Sequence, residues 1–119
     1  MATFSKIPLS GSINGRAVQV SGIATPGTTI HTGSTTTTVT DEVWLYAANT
    51  STSDVKITVE WGGTGVSDQI EVTIPAESGL VPIAPGLIIV GAATALVVRV
   101  FAASSSVINI FGFVNRISA

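Results

Sequence analysis

Apolar residues at every second position mark a strand with one dry face, and residues 55–61, VKITVEW, follow that pattern without a break. Val55, Ile57, Val59 and Trp61 fall on one side, Lys56, Thr58 and Glu60 on the other. Residues 68–74, DQIEVTI, repeat the pattern with Ile70, Val72 and Ile74 inward, and the glycine-rich link GGTGVS predicts a hairpin between the two runs. Upstream, 42–48 reads as a further strand closed by the turn-forming string NTSTSD, so a three-strand meander is expected. Further strands are expected at 17–24 and 28–38, split by Thr25-Pro26-Gly27, and at 80–83, 87–90, 94–103 and 106–117. Ser104-Ser105-Ser106 is expected to turn the last pair back on itself. No window sustains a 3.6-residue period with caps, which limits helix to at most a single turn. About eight strands at turn spacings of roughly eight to twelve residues predict an all-β fold, an antiparallel β-sandwich of jelly-roll type.

At 119 residues the chain is the size of one domain, and no linker divides it. Residues 1–16 stand apart, because Pro8, Gly11 and Gly15 interrupt regular structure while Phe4, Ile7 and Leu9 stay apolar. They read as an N-terminal arm or as an edge strand folded onto the domain. The start, MATFSKIPLSGSINGR, lacks the order of a secretory signal peptide. Residues 78–98 carry no charge over a length that could cross a bilayer. Pro82, Pro85, Gly86 and Gly91 interrupt them and β-branched residues are frequent, so strands and a turn are expected and no membrane partner.

Charged residues make up 10% of the chain, against roughly 25% in an ordinary soluble domain, so hydroxyl and amide groups must carry much of the wetting. Five scattered basic residues and a formal charge of -2 argue against a nucleic-acid partner. Without cysteine there is no disulfide framework and no thiolate chemistry. His31 is the only histidine, so a multi-histidine metal site is excluded, and its neighbours read as polar strand or loop. Asp41 and Glu42 are the only adjacent carboxylates; on a strand they point to opposite faces, which suits solvation of a strand end better than shared acid–base work. Gly62-Gly63-Thr64-Gly65 has neither the Lys-Ser/Thr nor the helix of a phosphate loop. Asn49-Thr50-Ser51 fits a glycosylation sequon that matters only in a secretory pathway, and Asn14-Gly15-Arg16 reads as a turn. No catalytic, cofactor-binding or metal-binding residue is assigned, and no enzyme is expected.

The surplus of apolar side chains is the stronger signal. With Val43, Leu45 and Ala47 turned inward, Trp44 and Tyr46 point away from the core. On the late strands Val97 and Phe101 flank Arg99 opposite Leu96, Val98, Val100 and Ala102, while Val107, Phe111 and Phe113 oppose Ile108, Ile110 and Val114. A two-layer sandwich offers one dry face per sheet, so Trp44, Tyr46, Val97, Phe101, Phe111 and Phe113 are expected at the interface of a cyclic homo-oligomer. Flat aromatics also serve sugar-binding modules, and parity leaves only Trp44 and Tyr46 for such a platform, with Trp61 in the core.

The runs ATFSKIPLSGS, ATPGTTIHT and DEVWLYAANTSTSDVKITVEWGG resemble small structural proteins of tailed bacteriophage heads, cyanophages and marine phages included, and among these the decoration or cement proteins. The resemblance implies a virion protein on the capsid surface, made in the bacterial host cytoplasm. It implies trimeric assembly and the major capsid protein as partner, with neighbouring capsid subunits bridged. Phe4, Ile7 and Leu9 are then expected to grip an adjacent shell subunit. A tail or head-fibre component, or a small glycan-binding module, is the alternative.

Overall fold

The computed structural model describes residues 2–119. They form nine strands: β1 (Thr3–Pro8), β2 (Val18–Val20), β3 (Thr28–Thr32), β4 (Val39–Asn49), β5 (Val55–Trp61), β6 (Gln69–Ile74), β7 (Val81–Val90), β8 (Val97–Ala102) and β9 (Ile108–Ser118). The helical content is a single 3-10 turn at Val66–Asp68, where the chain enters β6. One sheet runs β1-β9-β4-β7, with β2 on the same edge of β9 as β1; the other runs β3-β8-β5-β6. Every pairing is antiparallel. The order β2-β9-β4-β7 stacked on β3-β8-β5-β6 is that of a jelly roll, so the alternation in the sequence does specify a β-sandwich.

Parity does what the pattern demands. Val43, Leu45 and Ala47 of β4, Ile57 and Val59 of β5, Val98 and Val100 of β8, and Ile108, Ile110 and Val114 of β9 are all completely buried between the sheets. Gly112 lies on the same inward row of β9, paired with Leu45. A methyl group on it would collide with the Trp44 carbonyl oxygen, so only glycine lets β9 and β4 close here.

Three expected local pairings resolve differently. The predicted meander splits, because β4 lies in one layer and the β5–β6 hairpin in the other. Both β4 and β5 have one face in the core, and placing them in opposite layers lets those faces meet. Asn49 secures the crossing by donating from Nδ2 to the carbonyls of Ser53 (2.8 Å) and Ile74 (3.0 Å). The predicted pairing of the last two strands is likewise a change of layer: the Ala103 amide bonds Lys56 of one sheet and the Ser106 amide bonds Val20 of the other. Finally, 80–83 and 87–90 are one strand. Gly86, at φ +77°, is absorbed as a bulge beside Val43 and Trp44 in place of a turn, and the prolines are tolerated because β7 is an edge.

The N-terminal segment is an edge strand. β1 pairs with β9 from Thr3↔Ser118 to Pro8↔Phe113. Ile7 packs against the core, and Leu9 is 1% exposed. Leu9 therefore leaves the set of shell-gripping residues: after Pro8 the chain turns under the sandwich, and the Ser12 and Gly11 amides bond the Leu9 and Ile30 carbonyls. Of the three, Phe4, 73% exposed, is the one free to meet a partner. Leu9→Ala is expected to lower unfolding free energy by about 2–5 kcal/mol in urea titration, the usual cost of emptying a leucine site in a core. A loss well below 1 kcal/mol would return Leu9 to the surface.

Candidate functional site

The first place to seek chemistry is the histidine, which is buried instead of solvated. His31 Nδ1 accepts the Ser10 amide at 3.1 Å, which leaves the ring proton on Nε2 facing Asp41 Oδ2 at 2.8 Å. Asp41 is 1% exposed and also takes a bidentate pair from Arg116, Nε to Oδ1 at 2.7 Å and a terminal nitrogen to Oδ2 at 2.8 Å. The cluster ties β3 of one sheet to β4 and β9 of the other. It has the residue types of a proton relay without the access of one. Both ring nitrogens are engaged, and the Ser10 hydroxyl accepts the Thr32 amide at 2.7 Å. We read it as an inter-sheet clamp.

Desolvation alone would push the Asp41 carboxyl up. The Arg116 and His31 hydrogen bonds and charges together outweigh it and hold the group below its ordinary value of 3.8, while Asp41 raises Arg116. A second buried acid, Glu60 at 0% exposure, is covered on the outer side of β5 by the loop before β3: the Gly27 amide and the Thr25 hydroxyl donate to its two oxygens, the amide at 2.7 Å. No group of three His, Cys, Asp or Glu able to hold a metal occurs among the described residues. An open cleft of about 580 Å³ between the loop after β1 and β9 includes Ile13, Arg16, Gln19, Asn109 and Phe111 and offers no acid–base pair.

What the fold does assemble is an apolar surface. On the outer face of the larger sheet the register sets out rows across β1, β9, β4 and β7: Phe4, Ile117, Thr40, Val90; then Lys6, Asn115, Glu42, Ile88; then Pro8, Phe113, Trp44, Pro85. Further along, Phe111 pairs with Tyr46 and Tyr46 with Pro82. In these rows the charged side chains are Lys6 and Glu42.

The centre of the face is held rigidly. Trp44 and Phe113 stack with ring centroids 6.0 Å apart and planes 9° from parallel, and Lys6 Nζ lies 4.7 Å from the Phe113 centroid. Trp44 Nε1 donates to Glu42 Oε1 at 2.6 Å, and Asn115 Nδ2 donates to the same oxygen at 3.0 Å. Those two bonds, Asn115 first, hold the Glu42 carboxyl below its usual range. The indole leans over Gly86, where a methyl group would sit 3.0 Å from its ring. It is fixed from three sides.

Four of the six expected interface residues, Trp44, Tyr46, Phe111 and Phe113, thus form one contiguous ladder, and the row of Lys6, Asn115 and Glu42 separates it from Phe4 and Ile117. Val97 and Phe101 do not join it. They lie on the outer side of β8 in the smaller sheet, where Phe101 shares a shallow hollow with Ile23, Lys56 and Glu71. Parity had separated inward from outward but not one sheet from the other. Trp61 is half-buried against the core, with Nε1 donating to the Ile88 carbonyl at 3.2 Å.

Compared with protein-family models, with curated proteins and with solved structures, the chain matches none of them.

The clamp sets an acid limit. A carboxyl whose folded value lies below its unfolded one stabilises the native state above about pH 4 and gives that up as pH falls through the lowered value. Unfolding free energy is expected to fall below about pH 4 in urea titrations at stepped pH. Asp41→Asn should remove that component of the slope and cost about 2–4 kcal/mol at neutral pH, since it leaves Arg116 and His31 without their shared partner.

Proposed function

We propose that this protein is a non-catalytic structural protein that joins a larger protein assembly through association at the outer face of its five-stranded sheet. Following the sequence resemblance, that assembly is the head of a tailed bacteriophage, and the chain acts as a decoration or cement protein bridging neighbouring major capsid subunits. The observation that carries the reading is the apolar part of the face: Pro8, Phe113, Trp44 and Pro85 in one row beside Phe111, Tyr46 and Pro82 in the next, with Trp44 and Phe113 fixed before any partner arrives. Preset aromatic anchors lose little conformational freedom on binding, which is why such residues dominate protein interfaces.

Cementing needs no chemistry. A shell subunit that leaves its neighbour must also break every contact a bridging protein makes with both, and weak contacts repeated around a symmetric shell hold firmly together. The low charge fits this role, because few ionic groups lose their water when such surfaces meet. A glycan-binding role is less well served. Trp44 Nε1 and one Asn115 amide proton are already committed to Glu42, and one indole face is taken by Phe113, which leaves few free donors beside the ring.

Co-sedimentation with empty heads of the encoding phage tests the proposal. Wild-type protein is expected to pellet with the shells; Phe113→Glu, which places a carboxylate at the centre of the face, should cut retention at least about tenfold. Lys56→Ala, on the outer side of the smaller sheet, is the control and should behave as wild type. Shell binding that survives Phe113→Glu would remove the face from the mechanism, and no binding by wild type would remove the capsid.

A further inference from the structure

The arrangement of charge on the apolar face points to its occupant: we propose a second copy of this chain, packed face to face about a two-fold axis parallel to β9. This rests on the reading of the face as an association surface and names what lies on it. Lys6 and Glu42 occupy one row on either side of β9, both paired with Asn115. Each is two strand spacings from the other, about 10 Å, and no ion pair joins them within the chain. Lys6 Nζ rests against the Phe113 ring and Glu42 Oε1 accepts from Trp44 and Asn115, so each charge is held in place without a counter-ion of its own.

A two-fold axis along β9 exchanges the two sides of the face while keeping each row level. It lays Lys6 on the partner's Glu42 and Glu42 on the partner's Lys6, two opposite-charge contacts from one operation. In the next row the same rotation places Pro8 over the partner's Trp44, with Phe113 at the axis against its own counterpart. The charged row becomes complementary and the apolar row meets an apolar row. A partner of unrelated sequence would need to reproduce that pattern independently, whereas a second copy has it by symmetry.

About an axis along β9 the overlap is three strands wide, β1, β9 and β4, because β7 comes opposite no strand of the partner. Strands of up to eleven residues run about 35 Å and three span about 10–15 Å, so the contact is on the order of 350–500 Å² per copy, the size of a weak, reversible interface. The two sheets would pack as the layers of a sandwich do, about 10 Å apart. The product is a dimer in place of the trimer implied by the resemblance.

Charge reversal gives a test with a built-in cross-check. Wild type should sediment as a dimer, twice the 12.1 kDa chain mass. Lys6→Glu makes the row doubly negative and Glu42→Lys makes it doubly positive, so each variant alone should self-associate about 100-fold more weakly. Mixed in equal amounts they should recover the dimer, because every facing pair is then opposite in sign. Near-ultraviolet circular dichroism reports whether Glu42→Lys keeps the Trp44 environment. If it does not, Lys6→Cys mixed with Glu42→Cys should be joined by a short bis-maleimide, while neither variant is joined to itself. A wild-type monomer at 100 μM or above, a trimer, or single variants that dimerise as wild type would each overturn the proposal. A monomer that still binds shells through Phe113 would overturn the second copy and leave the structural role standing; a dimer that ignores shells would do the reverse.

Discussion

A strand in a two-layer sandwich can bury one of its faces in its own core, and the larger sheet of this protein carries apolar side chains on both. That mismatch governs the molecule. The inward rows of β4 and β9 make the core complete by themselves, down to Val43, Leu45, Ala47, Ile110 and Val114 without solvent exposure. The outward rows, Trp44 with Phe113 and Tyr46 with Phe111, then have no internal place to go. These four rings are already half-buried in the single chain, so covering them gains only part of the about 1.5–3 kcal/mol that burying a fully exposed side chain is worth.

Charge is used sparingly and in a definite place. Of seven acids, Asp41 and Glu60 are inside and Glu42 is tied to Trp44 and Asn115. The buried acids are not isolated charges: Asp41 is neutralised by Arg116, and Glu60 accepts donors from the loop that closes over it. Each joins segments that lie far apart in the chain. Asp41 links the sheets beside the turn of Ser10, and Glu60 fastens the 25–27 loop to β5. Such groups fix which segments meet more than they add to stability, because the gain in Coulomb attraction is offset by lost hydration.

The sequence discloses the strands well and their neighbours poorly, for a physical reason. Side-chain alternation is local, so β5, β6 and both faces of β4 and β8 can be read directly from residue order. Layer assignment is not local. Val97 and Phe101 look like partners of Phe111 and Phe113 because all are outward on adjacent strands, yet Ser104–Ser106 carries the chain across to the opposite layer. The clamp was hidden similarly. A register shift between Thr29 and His31 puts Ile30 and His31 both inside, which breaks the parity that made His31 look solvated, and its partners lie 10 residues away and beyond. Asp41 sat in plain view on the odd row of β4 with Val43 and Leu45; continuing the alternation one step back would have placed it in the core. Leu9 carried a weaker signal, since its alternation with Ile7 is only two residues long and Pro8 interrupts it.

Blunted and open boundaries explain why association should proceed through a face and not by sheet extension. The β7 edge is interrupted by Pro82, Pro85 and the Gly86 bulge, and the β3 edge is closed by the Ser10–Gly11 turn, which bonds Thr32 and Ile30. β1 carries Lys6 at its middle, and β6 carries Glu71, so a strand added in register at either edge brings like charges near one another when the added strand is its own counterpart. The outer face has a different property: Lys6 and Glu42 stand in one row on either side of β9, so a two-fold axis along β9 would bring each opposite the other. Pairing by that face would also double every remaining exposed apolar residue, Ile23, Leu80 and Leu96 among them, so that contacts too weak to hold one copy to a partner could act in pairs.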